Sequence, residues 1–274
     1  YMSNPSSKDK SQKHTKRRKA TKSEGAPSTS NDLVYGLHAI QAALELPQTR
    51  VTEIWLSDDR DDSRIDDIVE AAKVHGIQPH NVAKEELDDM APDARHQGAI
   101  AKCRPIGNLD ESDLFKLIDG LDEAPLLLIL DCVQDPHNLG ACMRSAEAAG
   151  AHAVIAPKDR ASALTSTALK VSSGAAERLP FIQVTNLARV LRELQQEGVW
   201  IVGTSGDSET TLFEADLKGP LAIVLGAEGR GIRRLTRDNC DSVMYIPMKG
   251  GAESLNVSVA AGVCLFEAAR QRNL

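Results

Sequence analysis

Six short apolar runs, separated by helical patterns, constrain what the second half of this 274-residue chain can become. They lie near 126–131, 152–156, 180–184, 199–203, 221–226 and 242–247, with helical spacing near 138–149, 164–171, 186–197, 232–238 and 254–271. Runs this uniformly apolar suit strands buried on both faces. The alternation therefore predicts a mostly parallel sheet covered by helices on each side. Aromatics are only 3% of the residues, which leaves the core to Leu, Val, Ile and Ala. In such sheets ligands bind beyond the carboxyl ends of the strands. Three of the runs lead there into blocks rich in Gly and Asn: DPHNLGACMRSAEAAG (135–150), LGAEGRGI (225–232) and IPMKGGAESLNVSVAAGV (246–263).

Each block carries its own chemistry. In the first, Asp135-Pro136 forms a turn and Asn138 is a candidate cap for the helix that follows. Gly140, Ala141, Ala146, Ala148, Ala149 and Gly150 keep that helix thin, so a neighbour packs closely on it. Arg144 is the one cation there. Two readings stay open for it, a surface ion pair and a guanidinium presented to a phosphate or a reacting hydroxyl. In the second block Gly226, Gly229 and Gly231 permit a sharp turn that exposes amides, but the P-loop Lys-Ser/Thr is missing. Glu228 is out of place beside a phosphate nest and suits a cationic or hydroxyl-bearing ligand better. Arg230, Arg233, Arg234 and Arg237 follow, either as a solvated helix face or as a contact to an RNA backbone. In the third block Ser254 is the expected helix cap, with Asn256 in the first turn. Leu255, Val259, Val263 and Phe266 keep helical spacing, and Val257, Ala261, Cys264 and Leu265 make the other side apolar too. Such a helix is buried against the sheet and against a partner chain.

Residues 1–31 carry net charge +6 and almost no apolar residues, against −13 for the remainder. That composition predicts a disordered basic tail, with Lys13–Lys22 either an RNA-touching arm or a solubilising segment. An acidic body argues weakly against nucleic-acid binding. Residues 32–104 form a small α/β unit: a helix over 34–44, a strand over 51–56, an amphipathic helix over 63–76 and a strand over 99–104. A linker at 105–124 holds a short helix at 111–120, and the large unit spans 125–274. No stretch approaches the roughly 18–20 apolar residues of a membrane span, and no apolar signal segment is seen. Cys103, Cys132, Cys142, Cys240 and Cys264 lack zinc-ligand spacing, which predicts reduced thiols, no metal and a cytoplasmic protein.

The three blocks, together with VYGLHA (34–39), HQGAIA (96–101) and IVGTSG (201–206), resemble the SpoU/TrmH class of S-adenosylmethionine-dependent RNA 2′-O-ribose methyltransferases, in the SPOUT superfamily. The resemblance covers about 33–273. It implies a C-terminal SPOUT α/β domain with a deep trefoil knot, preceded by a ribosomal-protein-like (L30e-like) substrate-binding domain. It implies homodimers that methylate RNA, here a guanosine of 23S rRNA. A tRNA target and a non-catalytic RNA-binding or ribosome-assembly role are the alternatives. By resemblance, Gly203, Thr204, Gly226, Ile246 and Leu255 hold S-adenosylmethionine largely through backbone. Asn138, Arg144, Glu228, Ser254 and Asn256 surround the reacting ribose.

Overall fold

The computed structural model describes residues 32–46, 49–59, 63–92, 94–104, 106–227 and 229–272. The basic-tail reading of residues 1–31 lies outside the described residues, as does Glu228.

Two sheets organise the described residues. The first has strands β1 (Asp32–Tyr35), β2 (Val51–Ser57), β3 (His80–Val82) and β4 (Ala99–Cys103), in the order β1-β4-β2-β3. β4 runs antiparallel to β1 and β2, and β3 runs parallel to β2. Helices α1 (Leu37–Leu44) and α2 (Ser63–Val74) cover one face, around the fully buried Ile40, Ile54 and Ile68. Helix α3 (Lys84–Met90) contributes Leu87 to a smaller cluster with Ile100. The single helix expected over 34–44 is corrected. Val34 and Tyr35 belong to β1, and Gly36 at φ 87° turns the chain before α1 starts. A left-handed residue interrupts any helix, and glycine adopts that conformation without a Cβ penalty.

The second sheet has seven strands: β5 (Leu126–Asp131), β6 (Ala153–Pro157), β7 (Phe181–Val184), β8 (Trp200–Thr204), β9 (Thr210–Thr211), β10 (Leu221–Gly226) and β11 (Ser242–Tyr245). Their order is β7-β6-β5-β10-β8-β11-β9, and every pairing is parallel. The helices are α4 (Glu111–Asp119), α5 (Pro136–Ala148), α6 (Ser166–Ser172), α7 (Ala175–Arg178), α8 (Leu187–Gln196), α9 (Arg234–Arg237) and α10 (Val257–Gln271). Successive strand residues feed opposite layers, as the two-residue period requires. Leu126, Leu128 and Leu130 pack with residues of α5 and α10, while Leu127 and Ile129 pack with residues of α4 and α8.

Two capping expectations are corrected. Asp135, not Asn138, caps α5: its carboxylate accepts the His137 N–H at 2.9 Å, and Pro136 opens the helix. Proline suits that first helical position because the N–H it lacks would have no partner there anyway. Asn256, not Ser254, caps α10, accepting the Ser258 N–H at 2.9 Å. Ser254 and Leu255 remain outside the helix. The thinness of α5 has its expected consequence. A Cβ on Gly140 would lie 2.5 Å from the Ala168 carbonyl oxygen, so α6 sits directly against it.

Arg50, at the head of β2, joins the two sheets' surroundings. Its Nε and Nη2 donate to Glu177 at 2.6 and 2.5 Å, and Nη1 donates to the Arg104 carbonyl. Both partners are largely buried. Beside them, a Cβ on Gly174 would meet the Ala42 methyl at 2.6 Å.

Candidate active site

Because β5, β10, β8 and β11 are parallel neighbours, the three glycine- and asparagine-bearing blocks leave the sheet at one edge. Asp131 and Gly226 are register partners at the ends of β5 and β10. A Cβ on Gly226 would lie 1.9 Å from the Gly231 carbonyl carbon. The returning arm of the second loop therefore passes directly over the strand end, and only a hydrogen fits between them. Gly229 and Gly231, at φ 73° and 64°, make that return, and the Gly231 N–H donates to the Ala227 carbonyl at 2.9 Å.

A buried carboxylate pins the loop. Asp131 is fully buried; it accepts the Arg233 backbone N–H at 2.9 Å and its Nε at 2.7 Å. Sequence reasoning passed over this pair. The available signal was a lone acid closing an all-apolar strand, LLLILD, because a carboxylate in that place needs a cation and hydrogen bonds to offset its desolvation.

Between the loops lies a cleft of about 720 Å³, within the size range of small-molecule and cofactor sites. Of the residues assigned to the cofactor, Thr204, Gly226, Ile246 and Leu255 line it. Gly203 lies beneath the lining, where a Cβ would meet Ile232 at 2.9 Å and Cys240 at 3.0 Å. The Thr204 hydroxyl donates to the Val224 carbonyl at 3.1 Å, which ties its side chain to the neighbouring strand.

Ser254 lines the same cleft. Asn138 and Asn256 meet through an Nδ2-to-Oδ1 hydrogen bond of 3.0 Å, which joins the first block to the third. Arg144 is exposed on α5, and its guanidinium makes no hydrogen bond or ion pair among the described residues; the surface-ion-pair reading therefore has no partner there. The structure does not bring Arg144 into the cleft lining.

The arginine cluster divides in two. Arg233 is spent on Asp131, and Arg237 donates to Asp207 at 2.7 Å. Arg230 lines the cleft mouth, and Arg234 faces solvent with a loose 3.8 Å approach to Asp238. Asp207 also lines the cleft. The Arg237 guanidinium, helped by the Ser205 hydroxyl, holds its carboxyl at about 2. Glu253 adds a second carboxylate to the wall. Ser205, Asp207 and Tyr245 are lining residues that sequence reasoning did not name.

The family model described as SpoU rRNA Methylase matches residues 125–266, and the model described as RNA 2'-O ribose methyltransferase substrate binding matches 33–108. The chain belongs to the SpoU rRNA methylase family. Among SpoU relatives, the 23S rRNA (guanosine-2'-O-)-methyltransferase RlmB of Photobacterium profundum is 54% identical over 245 residues, 89% of this chain and 100% of that one. The RlmB of Escherichia coli K12 is 51% identical over 243 residues, again 89% and 100%. Among solved SpoU structures, AviRb from Streptomyces viridochromogenes in complex with the cofactor AdoMet superimposes with a TM-score of 0.72 at 26% identity. That match covers 87% of this chain and 89% of AviRb. An RNA 2'-O ribose methyltransferase gives 0.70 at 25% identity, covering 88% and 89%. The SpoU fold thus extends through both sheets of the chain.

Proposed function

We propose that this chain transfers a methyl group from S-adenosylmethionine to the 2′-hydroxyl of a guanosine in 23S rRNA. The observation that carries the reading is identity above 50%, over the whole length of those relatives, to enzymes named for that reaction, with the second and third blocks lining one cleft and the first joined to the third through Asn138 and Asn256. The cleft fits the cofactor. Leu225, Ile246, Leu255 and Val257 offer apolar wall to an adenosine, and Asp207 and Glu253 offer carboxylates to the cofactor's ammonium and sulfonium. Backbone lining the cleft at Gly226 and the neighbouring loop supplies the polar contacts.

Bound S-adenosylmethionine supplies an electrophilic methyl on a sulfonium. The protein's part is to hold the ribose oxygen in line and at near-attack distance, which accounts for much of the acceleration in such transfers. Asn138 and Asn256 position the ribose as a linked pair, and Ser254 approaches from the cleft wall. Arg144 stabilises the developing alkoxide or the adjacent phosphate, since a guanidinium holds its proton too firmly to serve as a base. The proton leaves to Glu228 or to water.

Residues 32–104 serve as the RNA-binding domain, 105–124 as linker and 125–274 as the catalytic domain. The bonds from Arg233 to Asp131, which hold the second loop against the end of β5, accord with the trefoil knot implied by the resemblance. We further assign a homodimer built on α10. Val259, Val263 and Phe266 form an exposed apolar stripe on this helix, whose other side is buried. No described helix is long and apolar enough to cross a membrane, and work on rRNA implies the cytoplasm.

The test is ribose-methylation mapping of 23S rRNA from a strain lacking the protein. Loss of one guanosine 2′-O-methyl group, restored by the wild-type chain, is expected. An unchanged map would overturn the assignment.

A further inference from the structure

The HQG segment (96–98) plays no part in the chemistry above, yet it is built with unusual care. The Ala99 N–H donates to the His96 carbonyl at 3.0 Å, while Gln97 and Gly98 between them have φ of 53° and 79°. That is a tight turn with two left-handed central residues, which Asn-Gly or Gly-Gly fills with least strain. Gln is an uneconomical choice there, and strain of this kind concentrates where a side chain must be presented. The turn is held rigidly from behind. His96 is buried, its Nδ1 accepts the Gly98 N–H at 3.1 Å, and its Nε2 meets Asp88 at 2.9 Å. The Gly98 carbonyl in turn accepts the Ser57 N–H at 2.9 Å.

In front of the turn a cavity of about 430 Å³ opens, distinct from the cleft of the large sheet. Its floor is small, with Ser57, Ala94 and Gly98. Its rim carries Lys84, Arg95, Asp59 and Gln97. Among the described residues the side chains of Lys84 and Arg95 make no hydrogen bond or ion pair, and both residues are exposed. Apart from the buried His96 imidazole, no large aliphatic or aromatic side chain lines the cavity, so an apolar helix or a lipid tail would find little to bury against. Two uncommitted cations suit phosphates. A side-chain amide and a carboxylate on one cavity wall suit the donor and acceptor edge of a base, and sequence-specific RNA readers take such edges from unpaired nucleotides.

We propose that this cavity receives one unpaired nucleotide of the substrate RNA. Lys84 and Arg95 meet its phosphates, and Gln97 with Asp59 reads its base edge. The proposal rests on the reading of RNA as the substrate and adds where, outside the catalytic cleft, that RNA is gripped.

The experiment uses the full chain and a 23S rRNA transcript. The double variant Lys84→Ala/Arg95→Ala is expected to bind the transcript at least tenfold more weakly. The dependence of log K on log salt should become shallower by about 1.4, the loss of two single-strand phosphate contacts. Its KM for RNA should rise while its affinity for S-adenosylmethionine stays the same. Gln97→Gly relieves the turn, so its thermal midpoint should hold or rise while its RNA KM rises; a purely structural Gln97 would not separate the two. Wild-type affinity and salt slope in the double variant, or a Gln97→Gly chain with unchanged RNA KM, would overturn the proposal. If the wild-type chain methylates the transcript and the variants bind it normally, the cavity assignment falls alone. If the variants lose RNA affinity but the wild type transfers no methyl, the catalytic reading falls and the cavity stands.

Discussion

The side chain of Asn256 donates to that of Asn138 at 3.0 Å, across 118 residues of sequence, while its own Oδ1 caps α10 through the Ser258 N–H. One amide thus starts a helix and links the first block to the third. The two duties are separable. Asn256→Asp keeps an acceptor for the cap but has no N–H for Asn138. It should retain stability within about 0.5 kcal/mol, since Asn and Asp cap about equally well, while kcat falls. Asn256→Ala should lose about 1 kcal/mol as well as turnover. Denaturation midpoints measured beside single-turnover rates check both, and equal rates in Asn256→Asp and wild type would remove the linking role.

Arg144 is exposed and uncommitted among the described residues, so its removal should not disturb the fold. Arg144→Ala is expected to abolish methyl transfer with an unchanged thermal midpoint and cofactor affinity within tenfold, or about 1.4 kcal/mol. Calorimetry with S-adenosylmethionine and a methyl-transfer assay suffice. A fully active Arg144→Ala enzyme would refute the role. Appreciable rescue by Arg144→Lys would identify simple charge as the requirement.

Gly226 and Gly140 are sites of contact, not of turning. At Gly226 the obstructing atoms are the backbone of Gly231, and at Gly140 the carbonyl of Ala168. Gly226→Ala should displace the loop and eliminate measurable cofactor binding. Gly140→Ala should cost about 1–3 kcal/mol as an overpacked helix contact. Calorimetric titration of the first and chemical denaturation of the second distinguish a local effect from a global one.

The Arg50–Glu177 pair braces the four-stranded sheet against α7. Glu177→Ala leaves the Arg50 guanidinium largely buried beside the Arg104 carbonyl. It should cost about 3 kcal/mol, the low end for breaking a buried pair. If the brace also aims the RNA at the cleft, RNA affinity will persist while the transfer rate drops. A variant with wild-type stability would show the pair to be idle.

Glu267 supplies the acid-side prediction. Arg270 and then Gln271 hydrogen-bond its carboxylate and hold it at about 2. A depressed folded-state value means the stabilisation is complete above the unfolded value of about 4.3. It is lost as pH falls from there through about 2. Glu267→Gln should therefore flatten the acid limb of stability between those values and leave the slope at neutral pH untouched. Urea denaturation at stepped pH reads this directly; an unaltered acid limb would count against it.

Much of the large sheet could be read from composition and pattern alone. LLLILD and LAIVLG are β5 and β10 to the residue, because strands buried on both faces carry little but Leu, Ile, Val and Ala. Local signals failed where they compete. Asn138 and Ser254 are good caps by type, but Asp135 stands directly before Pro136, and Asn256 stands directly before Val257, where α10 begins. β3 and α3 escaped notice because KEELDDM buries only Leu87 and so has no apolar period to detect.

The order of strands and helices, the glycine-bearing loops at their ends and the residue types offered to a ligand were determined by the sequence, since each depends on neighbours a few residues apart. The Asp131–Arg233 pin, the passage of Gly231 over Gly226, the Asn138–Asn256 link and the Arg50–Glu177 brace were decided only by the tertiary structure. Each joins residues whose approach is set by strand order and loop crossing. A buried carboxylate or a missing Cβ acquires its meaning from the atom placed opposite it, and local sequence does not specify that atom.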